Sequence, residues 1–153
     1  MKRYLLAVLA LQFLFSCGPK TGNAVANIQS DIDAYISTVN SNTYLKQEKI
    51  EGALTDEEGF KDVGHFEYSV FYDADTKQLY KIKNIENTSG SVSETYYFKD
   101  NNLVFVETDL EEAPSKIYVH KNKILGSASK EKPVEKLLLE KGKRFQRAFK
   151  ETH

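Results

Sequence analysis

From His65 onward the apolar period of this chain is two, and turn-forming residues interrupt it at short intervals. Side chains alternate across a strand, so such a pattern describes strands with one face turned toward a core. Phe66, Tyr68, Val70 and Tyr72 alternate with His65, Glu67, Ser69 and Phe71, and Asp73-Ala74-Asp75-Thr76-Lys77 is a turn. A strand returns over 78–85, and 86–91 is a loop. Strands 92–98 and 103–108 pair across Lys99-Asp100-Asn101-Asn102, a hairpin signal. An acidic loop holding Pro114 leads to 116–120 and 123–126, which pair across Lys121-Asn122. An aromatic or β-branched pair, a polar turn and an aliphatic residue recur in each hairpin, with Tyr72, Phe98 and Val119 spaced 26 and 21 residues apart. Such spacing fits successive hairpins of one meander of about six antiparallel strands.

Helical periods flank the strands. Val25, Ile28, Ile32, Tyr35, Ile36 and Val39 form one stripe, with Asn23 as the expected N-cap and Asn40-Ser41-Asn42 as the stop. Residues 43–64 read equally as a strand or a second short helix. Near the end, Pro133 suits a first helical turn. Val134, Leu137, Leu138, Phe145 and Phe149 form a second stripe, broken at Lys141-Gly142. The expected fold class is therefore α+β, an antiparallel meander of about six strands with both helices packed on one face and the other face open to solvent. The expected division is 1–16 as a removed leader, 17–23 as a tether and 24–151 as one domain.

The start of the chain carries a second signal. Met1-Lys2-Arg3 is cationic, and Tyr4 to Phe15 is apolar except for Gln12. A run of about 12 residues reaches roughly 18 Å as a helix. A bilayer core is about 30 Å thick, so the run is too short to span and suits the apolar region of a secretory signal. Leu14-Phe15-Ser16-Cys17 follows, with the only Cys of the chain. This resembles the lipobox of bacterial lipoproteins, with an aliphatic residue at −3 and a small one at −1. Phe15 at −2 is bulkier than the family's usual residue. The resemblance implies that the Cys17 thiol takes a diacylglyceryl group, that the leader is cut before Cys17, and that the new amino terminus is acylated. Two or more acyl chains hold a protein on a membrane where one does so only marginally. Gly18, in place of the aspartate that marks inner-membrane retention in enteric members of the family, implies the outer membrane. The hairpin Tyr96–Val106 is similar to segments of small secreted bacterial proteins of uncharacterised role, and that likeness implies no activity.

Composition narrows the function classes. Lys and Arg number 21 against 22 Asp and Glu, so a nucleic-acid partner is not expected. One Cys and three His exclude a Cys-rich zinc module and an internal disulfide, and no cofactor or metal is expected. Asp73-Ala74-Asp75 resembles the start of a calcium loop, but Lys77 and Gln78 stand where a ligand and a glycine belong, so a hairpin turn is the better reading. Asn87-Thr88-Ser89 is formally a glycosylation sequon. His65 and His120 are read as strand-surface histidines. Tyr96, Tyr97, Phe98 and Phe105 are the candidate binding surface if one sheet face is open. From Lys130 to Glu151 eight Lys or Arg meet four acids, a basic helix face able to touch anionic headgroups or an acidic partner. The expected function is a lipid-anchored envelope protein, non-catalytic, serving as a protein-binding accessory, inhibitor or scaffold. A small-ligand carrier with an aromatic cleft between sheet and helices, and an enzyme with a site built from distant residues, are the alternatives.

Overall fold

The computed structural model describes residues 21–110, 113, 115–126 and 132–153, with side chains from residue 24. The leader and Cys17 lie outside the described residues. Helix α1 (Thr21–Ser41) is followed by strands β1 (Lys46–Thr55), β2 (Asp62–Tyr72), β3 (Leu79–Asn87), β4 (Ser91–Lys99), β5 (Asn102–Thr108), β6 (Lys116–His120) and β7 (Lys123–Ile124), then by helix α2 (Pro133–Thr152). The strands lie side by side in chain order, and every neighbouring pair is antiparallel. The expected meander is present, with seven strands rather than six.

The extra strand is β1. It pairs with β2 from Lys46 opposite Tyr72 to Thr55 opposite Asp62. It is an edge strand with charges on both faces, so it buries too little to show a period of two. Its neighbour β2 buries more of its length, from Ser69 to Tyr72, and shows the period of two.

Residues directly opposite one another in an antiparallel ladder share a face. One row across the sheet therefore runs Val70, Ile82, Tyr96, Val106 and Ile117. These pack with Leu138, Leu139 and Phe149 of α2. The adjoining row on the opposite face runs Phe71, Lys81, Tyr97, Phe105 and Tyr118. Tyr97 and Phe105 pack with Ile32 and Val39 of α1. The helices thus cover opposite faces, which corrects the expectation that both lie on one. The reason is the aromatic content of both faces of β4 and β5: each face needs its own apolar cover.

Two irregularities set the phase. The ladders slip by one residue between Phe71 and Tyr72 and between Tyr97 and Phe98. The extra residues are Tyr80 and Val104, each shortly after a hairpin turn. A bulge of this kind reverses which face the residues beyond it meet. Leu103 consequently joins the α2 core while Phe105 joins the α1 core.

Helix α1 begins at Thr21, so Asn23 lies inside it rather than at its N-cap. Pro19 is the last residue before it that forbids a helical hydrogen bond. Helix α2 starts at Pro133 as expected, and the Lys132 N–H donates to Glu135 Oε2 at 2.9 Å. Within α2 the buried stripe uses Leu138 and Leu139, whereas Leu137 is 58% exposed, a correction to the expected stripe.

Candidate functional site

Two hairpin turns stand side by side at one end of the sheet. Asp100 and Asn101 have φ of 49° and 57°, and Lys121 and Asn122 have φ of 50° and 63°. Positive φ at both central residues of a two-residue loop is the primed turn that matches strand twist. Asn and Asp tolerate that conformation better than other residues, and this is why polar dipeptides occupy the tips. Between the turns is a cavity of about 350 Å³. A second of about 270 Å³ runs from it along α1. Both are lined by Lys99, Val104, Val119 and His120, so the two adjoin at these residues as a cleft in two parts.

Helix α1 supplies the opposite wall through Ile28, Asp31, Ile32 and Tyr35. Tyr35 Oη donates to the Phe98 carbonyl at 2.5 Å, tying the helix to the end of β4. The Lys99 ammonium lies 5.3 Å from the centre of the Tyr35 ring, within cation–π range. Burial, then the neighbouring Tyr80 and Asp100, push the Tyr35 hydroxyl above its ordinary range, so it stays protonated as a donor. Further along, Tyr118 Oη donates to Asp33 at 2.9 Å and Tyr97 Oη to Asn40 at 3.2 Å. The helix is thereby fixed across the strands from β6 to β4. The cleft combines an apolar floor and wall with Lys99, Lys121 and His120 as cationic or titratable groups, and Asp31 and Asp100 as anions. A lining of this mixed character matches a small amphipathic or mixed-charge group better than a bare hydrocarbon.

The residues singled out in the sequence fall in different places. Tyr96, Tyr97, Phe98 and Phe105 are 0–3% exposed, so they are core residues and not a binding surface. Tyr96 and Phe98 face α2 while Tyr97 and Phe105 face α1, and the helices cover both sets. His120 lines the cleft, whereas His65 lies at the other end of the sheet with its ring 3.1 Å from the Asn87 amide. Among the described residues no hydrogen bond joins His120 to a carboxylate. Asp73 Oδ1 accepts from the Thr76 N–H at 2.7 Å, from its hydroxyl at 2.9 Å and from the Asp75 N–H at 3.0 Å, so the calcium-like segment is a turn held by its own side chain. Chiefly the Thr76 N–H holds that carboxyl below its usual range.

A second polar cluster was not visible in the sequence. Lys141 Nζ sits 2.7 Å from Glu94 and 2.9 Å from Glu86, with the Glu94 side chain 7% exposed. Tyr96 Oη donates to Glu94 Oε2 at 2.9 Å, and the Asn84 amide donates to Glu86 Oε1 at 2.8 Å. The Lys141 ammonium is the main cause of a lowered Glu86 carboxyl. This cluster joins β3 and β4 to α2 and is a sheet-to-helix tie. Its other members are 45 or more positions from Lys141 in sequence, and spacing alone gives no hint of it. Among the described residues no group of three or more His, Cys, Asp or Glu is placed to hold a metal, and no helix is long and apolar enough to cross a membrane. No family model, curated protein or solved structure matches the chain.

Proposed function

We propose that this chain is a lipid-anchored envelope protein whose α+β domain works by binding, with the cleft between α1 and the two primed turns as the binding site. The observation that carries the anchoring is the single Cys at position 17, directly after a short apolar run and Leu14-Phe15-Ser16. Three residues lie between Cys17 and Thr21, where α1 begins, a span of four Cα-to-Cα steps. That length of chain reaches no further than about 14 Å however it is arranged. An acylated Cys17 therefore keeps the first turn of α1 close to the headgroups, and the cleft wall formed by Ile28, Asp31 and Tyr35 is on the same helix.

Binding is favoured over catalysis by what lines the cleft. Tyr35 is engaged with a backbone carbonyl, Lys99 lies over an aromatic ring, and His120 has no acidic partner among the described residues to orient it. The apolar patch of Ile28, Ile32 and Val104 supports the second reading, a carrier for a small ligand. Its volume suits a fragment-sized group, with Tyr35 as the one aromatic residue of the wall.

The anchor is tested by expressing the full chain and its Cys17→Ser variant and measuring intact mass and membrane sedimentation. The parent is expected to carry a diacylglyceryl-sized mass and to sediment, and the variant to do neither. Equal behaviour of the two overturns the anchoring. The site is tested with Lys99→Glu and Val104→Lys in the parent chain. Loss of a reproducible envelope partner in both variants supports protein binding, loss of a co-purifying metabolite in native mass spectra supports the carrier, and retention of either species unchanged rules out the cleft as its site.

A further inference from the structure

The sheet has one long open edge. Strand β1 contributes ten residues and, among the described residues, has a strand neighbour only in β2. Its outward N–H and C=O groups are a template for a further strand. Natural proteins guard such edges with charge, and a row of one sign repels any second edge. The charges of β1 instead alternate, in Lys46, Glu48, Lys49 and Glu51. At the middle of the strand is Ile50, 58% exposed.

From this pattern we infer that β1 pairs with β1 of a second copy of the chain, antiparallel, about a two-fold axis through Ile50. A two-fold axis perpendicular to the sheet keeps each face continuous, so only residues of the same parity lie opposite one another. Centred on Ile50, Lys49 of each copy meets Glu51 of the other, and the two isoleucines meet on the α2 face. Glu48 then lies opposite Gly52, which has no side chain to displace the Glu48 contacts with Tyr72 and His153. Lys46 lies opposite Leu54. The neighbouring registers fail: one centred on Lys49 sets lysine against lysine at the axis, and one centred on Glu51 sets glutamate against glutamate. Like charges directly opposite destabilise a pair, and opposite charges support it. Within one chain Lys49 already contacts Glu51 and reaches Glu67 at 2.9 Å on the same face, so the partner's Glu51 is a third carboxylate around it in the pair. The second edge cannot substitute, because β7 is two residues long. The product is one continuous sheet across two copies. This inference does not depend on lipid attachment or on the cleft.

The test uses full chains carrying two different tags, co-expressed and recovered through one tag. Parent chains are expected to co-purify. K49E with K49E, and E51K with E51K, each set like charges opposite one another twice, and recovery of the second tag falls about tenfold. K49E co-expressed with E51K restores both complementary contacts, as does the double variant K49E/E51K with itself, and co-recovery returns toward the parent level. Return on mixing separates pairing from a folding defect, because each single variant is present in that arm. Absence of co-recovery in the parent, equal recovery in every arm, or failure of the mixed arm to regain it would each overturn the inference.

Discussion

Gly142 sits where the second apolar stripe breaks, and the break is a packing requirement. A Cβ built there would lie 2.8 Å from Tyr96 Cδ1 and 2.9 Å from Leu103 Cδ2. The absence of a side chain lets α2 approach the sheet at the Tyr96 row, and it brings Lys141 within reach of Glu86 and Glu94. Helix propensity alone favours alanine over glycine by about 1 kcal/mol. Overpacking a filled core costs about 1–3 kcal/mol, and the ring it meets is fully buried. Gly142→Ala is therefore expected to destabilise the fold by roughly 1 kcal/mol, lowering the melting temperature by about 2–4 °C for a chain of this size. A thermal melt of the two proteins checks this, and a variant melting higher than the parent would show that the helix can retreat without loss. The Lys141-Gly142 interruption was legible in the sequence as an irregularity, but its meaning was not. Only the register that places Glu94 opposite Asn84, with Glu86 two residues along β3, makes a polar pair useful there.

Among elements, the two helices differ in how firmly they are held. Helix α2 buries Leu138, Leu139, Gly142 and Phe149 against the larger core, and its end is closed by His153 stacked on Phe149 at 4.3 Å. Helix α1 has two buried apolar residues, Ile32 and Val39, and relies on tyrosine hydroxyls whose partners are partly exposed. Local opening follows buried contact rather than helix length, and each element opens with its own free energy. Amides of α1 between Ile28 and Val39 are expected to exchange with deuterium faster than those of α2 between Leu138 and Phe149, read by mass spectrometry of peptides from the intact chain. Slower exchange in α1 would contradict the ranking. The same contrast explains what a sequence of this kind reveals. The helices and the five inner strands bury at least one face, so their periods were readable. Strand β1 has charge on both faces and one neighbour, so it was not. Which face each helix takes depends on where Tyr80 and Val104 bulge, and no local pattern announces a bulge.

At the scale of the whole molecule, carboxylates joined to partners in the folded state make stability depend on acid. Glu48 is the leading case. Its Oε1 accepts the Tyr72 hydroxyl at 2.5 Å and lies 2.9 Å from Lys46 Nζ, and its Oε2 lies 3.1 Å from His153 Nε2. These contacts, the Tyr72 bond foremost, hold its carboxyl at about 2 against an ordinary 4.5. Lys49 lowers Glu67, Lys141 lowers Glu86, and Lys143 lowers Glu140 in the same direction. For a carboxyl held lower when folded than when unfolded, the unfolded chain binds more protons in the interval between the two values. The added stability is complete above the unfolded value and is lost as pH falls toward the folded one. Urea unfolding midpoints are therefore expected to be level above about pH 5 and to fall between about pH 4.5 and 2. Glu48→Gln removes one of the titrating groups, so its midpoint should start lower at neutral pH and decline less across that interval. The contact it breaks is an unusual one: it links the first strand to the last helix, at the open edge of the sheet. A variant with the same acid slope as the parent would show that Glu48 titrates alike in both states and that the clamp of Lys46, Tyr72 and His153 contributes nothing to holding edge and helix together.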